Sequence, residues 1–152
     1  MTGEAPPVAD AVLLARFQES VNQPRGSRLL GFTLIALSQA DRRVEALFDA
    51  KPDFANPMRQ VQGGYLCAML DDVMSVACLV SSGMTHVAPT LEMKTSFLRP
   101  ALADGRKLRA VGRVVKWGRT IAFTEGELWD GDETLLAKAT GTAMPTPFKN
   151  FK

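Results

Sequence analysis

The sequence predicts an α+β fold in which one antiparallel sheet wraps around one long central helix. Three features lead to it. Residues 62–82 carry an apolar stripe at helical spacing, formed by Leu66, Met69, Leu70, Val73, Ala77 and Val80. Segments on both sides alternate polar and apolar residues with the period of two that marks strands. Gly, Pro and Asp gather between these segments, where turns need them. A helix this apolar needs cover on most sides, and a curled sheet supplies it.

Taken in order, residues 1–8 read as a disordered tail. Residues 9–22 place Val12, Leu13, Phe17 and Val21 at helical spacing, and Asn22, Pro24 and Gly26 end that short helix. Leu29 to Leu37 reads as a strand. Gln39 to Asp41 turns the chain. Arg42 to Ala50 then returns, with Val44, Ala46 and Phe48 set between charged neighbours, as in a strand with one wet face. Pro52 and Pro57 make Lys51 to Met58 a loop. The long helix stops at Ser81-Ser82-Gly83.

Four strands follow. In the first, Thr85 to Leu98, the row Leu91, Met93, Thr95 and Phe97 alternates with Thr90, Glu92, Lys94 and Ser96. The others are Lys107 to Lys116, Thr120 to Trp129 and Thr134 to Met144. Trp117-Gly118 and Asp130-Gly131-Asp132 are their hairpin connections. The expected organisation is a tail and short helix over 1–28, one domain over 29–147 and a C-terminal tail over 148–152.

Composition narrows the function. The 152 residues are 46% hydrophobic and 22% charged, which suits one folded domain rather than disorder. Net charge is +2 with a sequence pI near 8.7, and no block of Lys and Arg dominates a segment. Nucleic acid is therefore not an expected partner. The first ten residues lack the basic and apolar regions of a signal peptide, and no run of about 18 apolar residues is present. The expectation is no membrane association and a cytoplasmic location. Cys67 and Cys78 would stand roughly 16 Å apart on one helix, whereas a disulfide needs Cα atoms about 4.4–6.8 Å apart. Two free thiols and a reducing compartment are expected, and the same separation excludes a shared metal.

Two adjacent aspartates interrupt the apolar helix. An ionised carboxylate is costly to bury unless it is paired or hydrogen-bonded. Consecutive residues lie about 100° apart on a helix, so Asp71 and Asp72 cannot share a face. Asp71 falls with Cys67, Met74, Ser75 and Cys78; Asp72 falls with Ala68, Ser75 and Val76. One is a structural group and the other a candidate acid or base. Periodicity does not choose between them.

Gln62-Gly63-Gly64 stands at the helix start. Free N–H groups and partial positive charge gather there, and glycine lets a ligand approach the backbone closely. Such a place suits an oxyanion or a polarised carbonyl. The same glycines serve equally well to shape a turn. Asn56, six residues earlier, is a turn former or an amide donor to the same carbonyl.

These residues match a known pattern. The segment NPMRQVQGGYLCAMLDDVMSVA, residues 56–77, closely resembles the signature of hot-dog-fold acyl-CoA thioesterases of the phenylacetic-acid-pathway type. That signature is an Asn, then six residues on a His-Gly-Gly, then a catalytic Asp nine residues beyond the His. Asn56, Gln62-Gly63-Gly64 and Asp71 keep each spacing. The stretches APTLEMKTSFLRPALADG, GRVVKWGRTIAF and LLAKATGTAMP resemble the family's later strands, so the likeness runs over about 29–145.

The resemblance implies hydrolysis of an acyl-CoA to a carboxylic acid and free CoA. It gives Asp71 the catalytic position, as general base or nucleophile. It sets Gly63 and its neighbour Gly64 to polarise the carbonyl, Asn56 near the thioester oxygen, and the Thr90 hydroxyl to hold the water. Gln62 departs from the family His. Glutamine donates a hydrogen bond but does not titrate near neutral pH. Tyr65 is a candidate wall of the acyl pocket. Arg99 and Arg119, with Arg59, Lys94 and Lys116, are candidates for the CoA phosphates. Met58, Met69, Met74 and Met93 suit either an adaptable pocket or plain core. His86, the lone histidine, reads as a strand-start or turn residue. Thiolate is a fair leaving group, so neither a metal nor a cofactor is expected.

Geometry adds a partner. Gly63 and Asp71 lie about 12 Å apart along one helix. They cannot act on one carbonyl within one chain, but an antiparallel copy brings its Asp71 to this chain's Gly63. A homodimer with two composite sites is expected, or a homotetramer built from such dimers. Two other readings remain. A hot-dog hydratase would want the His that is missing here. A non-catalytic acyl-CoA-binding protein is compatible with Gln62.

Overall fold

A computed structural model describes residues 8–148. Two helices come first, α1 (Asp10–Glu19) and α2 (Arg25–Leu29). Strands β1 (Thr33–Ser38) and β2 (Arg43–Asp49) follow, then a 3₁₀ turn at Pro52–Phe54 and the long helix α3 (Gly63–Ser81). The remaining strands are β3 (His86–Val87), β4 (Thr90–Phe97), β5 (Lys107–Trp117), β6 (Ala122–Asp130), β7 (Thr134–Ala143) and β8 (Thr146–Pro147). Six strands form one antiparallel sheet in the order β1-β2-β5-β6-β7-β4, and β3 pairs with β8 apart from it.

The sheet curls around α3. Val44, Ala46 and Phe48 of β2 are fully buried, as their alternation requires, together with Leu108, Ala110 and Leu128. They meet Met69, Leu70, Val73, Ala77 and Val80, so the predicted stripe is the helix's core face. By length and hydropathy alone α3 would suit a membrane span. Here half of it is buried inside the protein, with the apolar stripe against the sheet. Close approach depends on Gly112 of β5, since a Cβ there would lie 2.3 Å from the Val73 carbonyl oxygen.

The chain departs from the sequence reading in three places. The strand expected from Leu29 begins only at Thr33, because residues 25–29 form α2. Pro24, read as a helix terminator, is instead the residue that starts this one. Its fixed φ is compatible with a helix start. The first helix stops at Glu19, and Val21 is 87% exposed rather than part of an apolar stripe. Finally, the strand expected over Thr85 to Leu98 is two strands. Ala88-Pro89 separates β3 from β4, and Pro89 has no N–H to give to a ladder.

The two N-terminal helices are tied to the body. Leu13 of α1 and Leu30 after α2 lie in the core cluster. The predicted C-terminal tail, except Phe148, and residues 1–7 lie outside the described residues.

Candidate active site

Gly63, Cys67 and Asp71 are spaced four apart and so line one side of α3. Strand β4 runs past that side. Phe97 meets Gly63, the Cys67 thiol lies 3.6 Å from Thr95 Oγ1, and Thr90 Oγ1 donates to Asp71 Oδ1 at 2.5 Å. Two residues that the sequence singled out separately, Asp71 and Thr90, are thus in direct contact.

Simple alternation would have turned Thr90 away. It grouped Thr90 with Glu92, Lys94 and Ser96, whose partners across the ladder are Thr142, Thr140 and Lys138. The register between β4 and β7 shifts between Thr90 and Glu92, so Leu91 is the extra residue of a bulge. One extra residue reverses the facing of what precedes it. Thr90 therefore pairs with buried Ala143 and points at the helix.

The two aspartates separate cleanly. Asp72 faces α2, where Ser27 Oγ donates to its Oδ1 at 3.1 Å. Its Oδ2 is buried with no hydrogen-bond partner among the described residues. Burial pushes the Asp72 carboxyl above its ordinary value, the Ser27 hydrogen bond pulls it down, and the neighbouring Asp71 raises it. Asp72 is the structural member of the pair, since it ties α2 to α3. Asp71 lies on the open side with a hydroxyl donor in place.

At the other end of the row, Gln62 is the residue before the helix, with φ −59 and ψ 139. Its carbonyl accepts from the Tyr65 and Leu66 N–H groups, while its exposed side chain makes no capping bond. The N–H groups of Gly63 and Gly64 donate to nothing among the described residues. They are the orphan donors of a helix start. The loop before them is pinned by the Ala55↔Val61 bridge and by Gln62 N–H donating to the Phe54 carbonyl. Asn56 Oδ1 accepts from the Met58 and Gln60 N–H groups at 2.9 and 3.1 Å, so Asn56 orders the turn. That fixes its amide plane and leaves Nδ2 as a donor with no partner among the described residues.

Tyr65 is taken up elsewhere: it stacks on Phe54, with ring centres 4.1 Å apart. The aromatic beside Gly63 is Phe97, which the sequence reading did not single out. Its position in the inward row of β4 was the available signal. Phe97 lines a cavity of about 330 Å³ with Val61, Gly63, Leu66, Arg99 and Ala101. Arg99 donates through Nη1 to the Leu135 carbonyl at 3.1 Å. Arg119 lies in the β5–β6 turn, at the end of the sheet where Ala122 and Thr90 both pair with Ala143. The two arginines are thus at opposite ends of β4. Met69 and Met74 are core, and Met58 is on the exposed loop. His86 begins β3 and packs edge-on against Trp117. Cys67 and Cys78 are free, and burial pushes the Cys78 thiol up to about 11.

Comparison with known proteins agrees with this architecture. The profile of the Thioesterase superfamily matches residues 61–137, from the start of α3 into β7. A provisionally named thioesterase of Ralstonia eutropha JMP134, a phenylacetic acid degradation-related protein, is 34% identical. That match covers 86% of this chain and 98% of that one, with a TM-score of 0.78. The protein smu.793 of Streptococcus mutans UA159, solved bound to acetyl CoA, shares the fold at a TM-score of 0.68. It is 24% identical, over 78% of this chain and 91% of that one. A provisionally named esterase of Thermoplasma volcanium is 31% identical over 81 residues, which is 53% of this chain and only 59% of that relative. The sheet wrapped around α3 is the hot-dog fold, and the chain belongs to the thioesterase superfamily, with its likeness on the side of the phenylacetic acid degradation-related proteins.

Proposed function

We propose that this protein is an acyl-CoA thioesterase whose two active sites each combine residues of two copies of the chain. The observation that carries the reading is the division of the α3 row. N–H donors with no partner among the described residues lie at Gly63 and Gly64, and a hydroxyl-held carboxylate lies at Asp71, two turns away. About 12 Å of continuous helix separates them. A second, antiparallel α3 closes the gap. The acetyl CoA bound to smu.793 of Streptococcus mutans supports a CoA thioester as the ligand.

In this site the thioester carbonyl oxygen lies against the Gly63 N–H and the Asn56 amide. Both donate to the negative charge that develops on it; losing one such donor typically costs about 2.7–4 kcal/mol. Asp71 of the other copy takes the proton of the attacking water, or attacks the carbonyl carbon itself to form a mixed anhydride that water then cleaves, freeing the carboxylic acid and the Asp71 carboxylate. Thr90 fixes the Asp71 carboxylate in either case. The C–S bond breaks, and the thiolate leaves as CoA after taking up a proton. Gln62 contributes hydrogen bonding only. Arg99 and Arg119 are offered to the phosphates at the surface.

Release of free CoA from a panel of aryl- and fatty-acyl-CoAs tests this. Turnover in the wild type that vanishes in Asp71→Asn, with the fold intact, is the expected result. Tight binding of acyl-CoA without turnover would favour a non-catalytic acyl-CoA-binding protein.

A further inference from the structure

Phe97 ends the inward row of β4 and is 53% exposed, although its ring lies against the first residue of α3. A Cβ added at Gly63 would lie 3.1 Å from Phe97 Cζ. The ring therefore crowds the side-chain direction of position 63, and even an alanine there would press on it. The rest of the cavity wall is mostly apolar, with Val61, Leu66, Leu98, Pro100 and Ala101, and Arg99 is its one charged member. The Gly63 N–H has no partner among the described residues. A carbonyl oxygen accepting from it at about 2.9 Å carries its α-carbon only two bonds further on. The thioester sulfur lies equally two bonds from that oxygen, and the orientation proposed below seats the α-carbon on the Phe97 side. Tyr65, the other aromatic of this region, is stacked on Phe54 and is not free to take that place.

We propose that Phe97 is a specificity-determining residue that limits bulk at the α-carbon of the acyl group, so that straight-chain acyl thioesters are preferred over α-branched ones. The inference rests on the thioester reading of the site. A flat ring accepts a methylene chain lying along it, but leaves no room for an added methyl beside the carbonyl. One misplaced methyl in such a pocket is worth about 10–200-fold in selectivity.

The test compares n-butyryl-CoA with isobutyryl-CoA for wild type, Phe97→Ala and Phe97→Leu, each checked for folding by thermal unfolding. Wild type is expected to favour the straight chain by roughly tenfold or more in kcat/KM. Phe97→Ala should bring the ratio close to one, with Phe97→Leu between them. Should the Ala variant not fold, the Leu variant decides. A ratio that stays unchanged while both substrates slow equally overturns the proposal, as does a wild type that does not discriminate. The same ratio is read as Kd for the two non-hydrolysable thioether analogues. If wild type cleaves neither these esters nor any member of the aryl- and fatty-acyl-CoA panel, the hydrolase reading fails, and the binding ratio still decides the role of Phe97. Gly63→Ala, which pushes on the ring, should shift the ratio in wild type and not in the Phe97→Ala background.

Discussion

At one edge of the sheet, β1 lies under α1, and the side-chain amides of Gln18 and Gln23 donate to the carbonyls of Leu34 and Phe32 at 3.0 Å each. At the other edge, β4 pairs only with β7, and Leu91, Phe97 and Leu98 are each at least half exposed. Both edge strands carry a bulge, at Ile35 and at Leu91. Soluble proteins usually cover or blunt an edge strand, since free N–H and C=O groups invite pairing with another chain. Here the first edge is covered and the second is not. The uncovered edge is also the one beside Asp71, Cys67 and Gly63. The edge left open and the face proposed to carry the chemistry are one place, and it is there that the proposed second copy would sit.

The largest effect should come from the chemistry on the open side. Asp71→Asn should lower kcat by about 10²–10⁴-fold, the usual weight of a positioned acid or base. Gly63→Pro removes one N–H and keeps the helix, since proline is favoured at a first helical position and Gln62 already has the extended ψ that precedes proline, while the proline ring also presses on Phe97 as Gly63→Ala does. It should cost about 10²–10³-fold in kcat. Steady-state CoA release measures both, and an active Asp71→Asn enzyme would remove the carboxylate from the mechanism.

Next come the edges themselves. Leu91→Glu should turn a dimer into a monomer by light scattering and take activity with it. The matched Ile35→Glu at the covered edge should leave the assembly and the activity in place. Equal behaviour of the two variants would erase the difference between the edges.

A smaller effect is expected from Gln18→Ala. It uncaps the β1 edge, and should lower stability by about 1 kcal/mol in urea unfolding without touching turnover.

The smallest is a slope in pH. Burial raises the folded-state value of Asp72 above the ordinary 3.8. The folded chain then holds that proton more tightly than the unfolded chain. The resulting stabilisation is complete below 3.8 and is lost as pH rises through the folded-state value. Unfolding free energy of wild type relative to Asp72→Asn should fall across that window. A flat difference would mean that Asp72 is as free to ionise in the folded chain as in the unfolded one.

Much of this contrast could be read from sequence, and the parts that could not have physical reasons. The α3 stripe and the β2 alternation follow from which residues must be buried, so Leu66 to Val80 and Val44 to Phe48 fall where their patterns put them. The helix α2 is five residues long, and a contact 45 residues away, Ser27 to Asp72, ties it down. No local pattern carries such information. The bulge at Leu91 is set by the register of β4 against β7, so the inward turn of Thr90 is a property of the pairing and not of the segment. Periodicity left Asp71 and Asp72 equal. Their partners, Thr90 and Ser27, come from distant stretches and give the two carboxylates different surroundings.

The central claim is that each active site takes Gly63 from one copy and Asp71 from the other, and subunit mixing tests it most directly. Asp71→Asn and Gly63→Pro chains carry different affinity tags, are co-expressed, and are purified through both tags. Each variant alone should be inactive. The mixed dimer contains one site with both native residues, so it should recover about half of wild-type turnover per dimer. A mixed dimer as inactive as its parents would place Gly63 and Asp71 in separate roles within one chain, and would contradict the composite site.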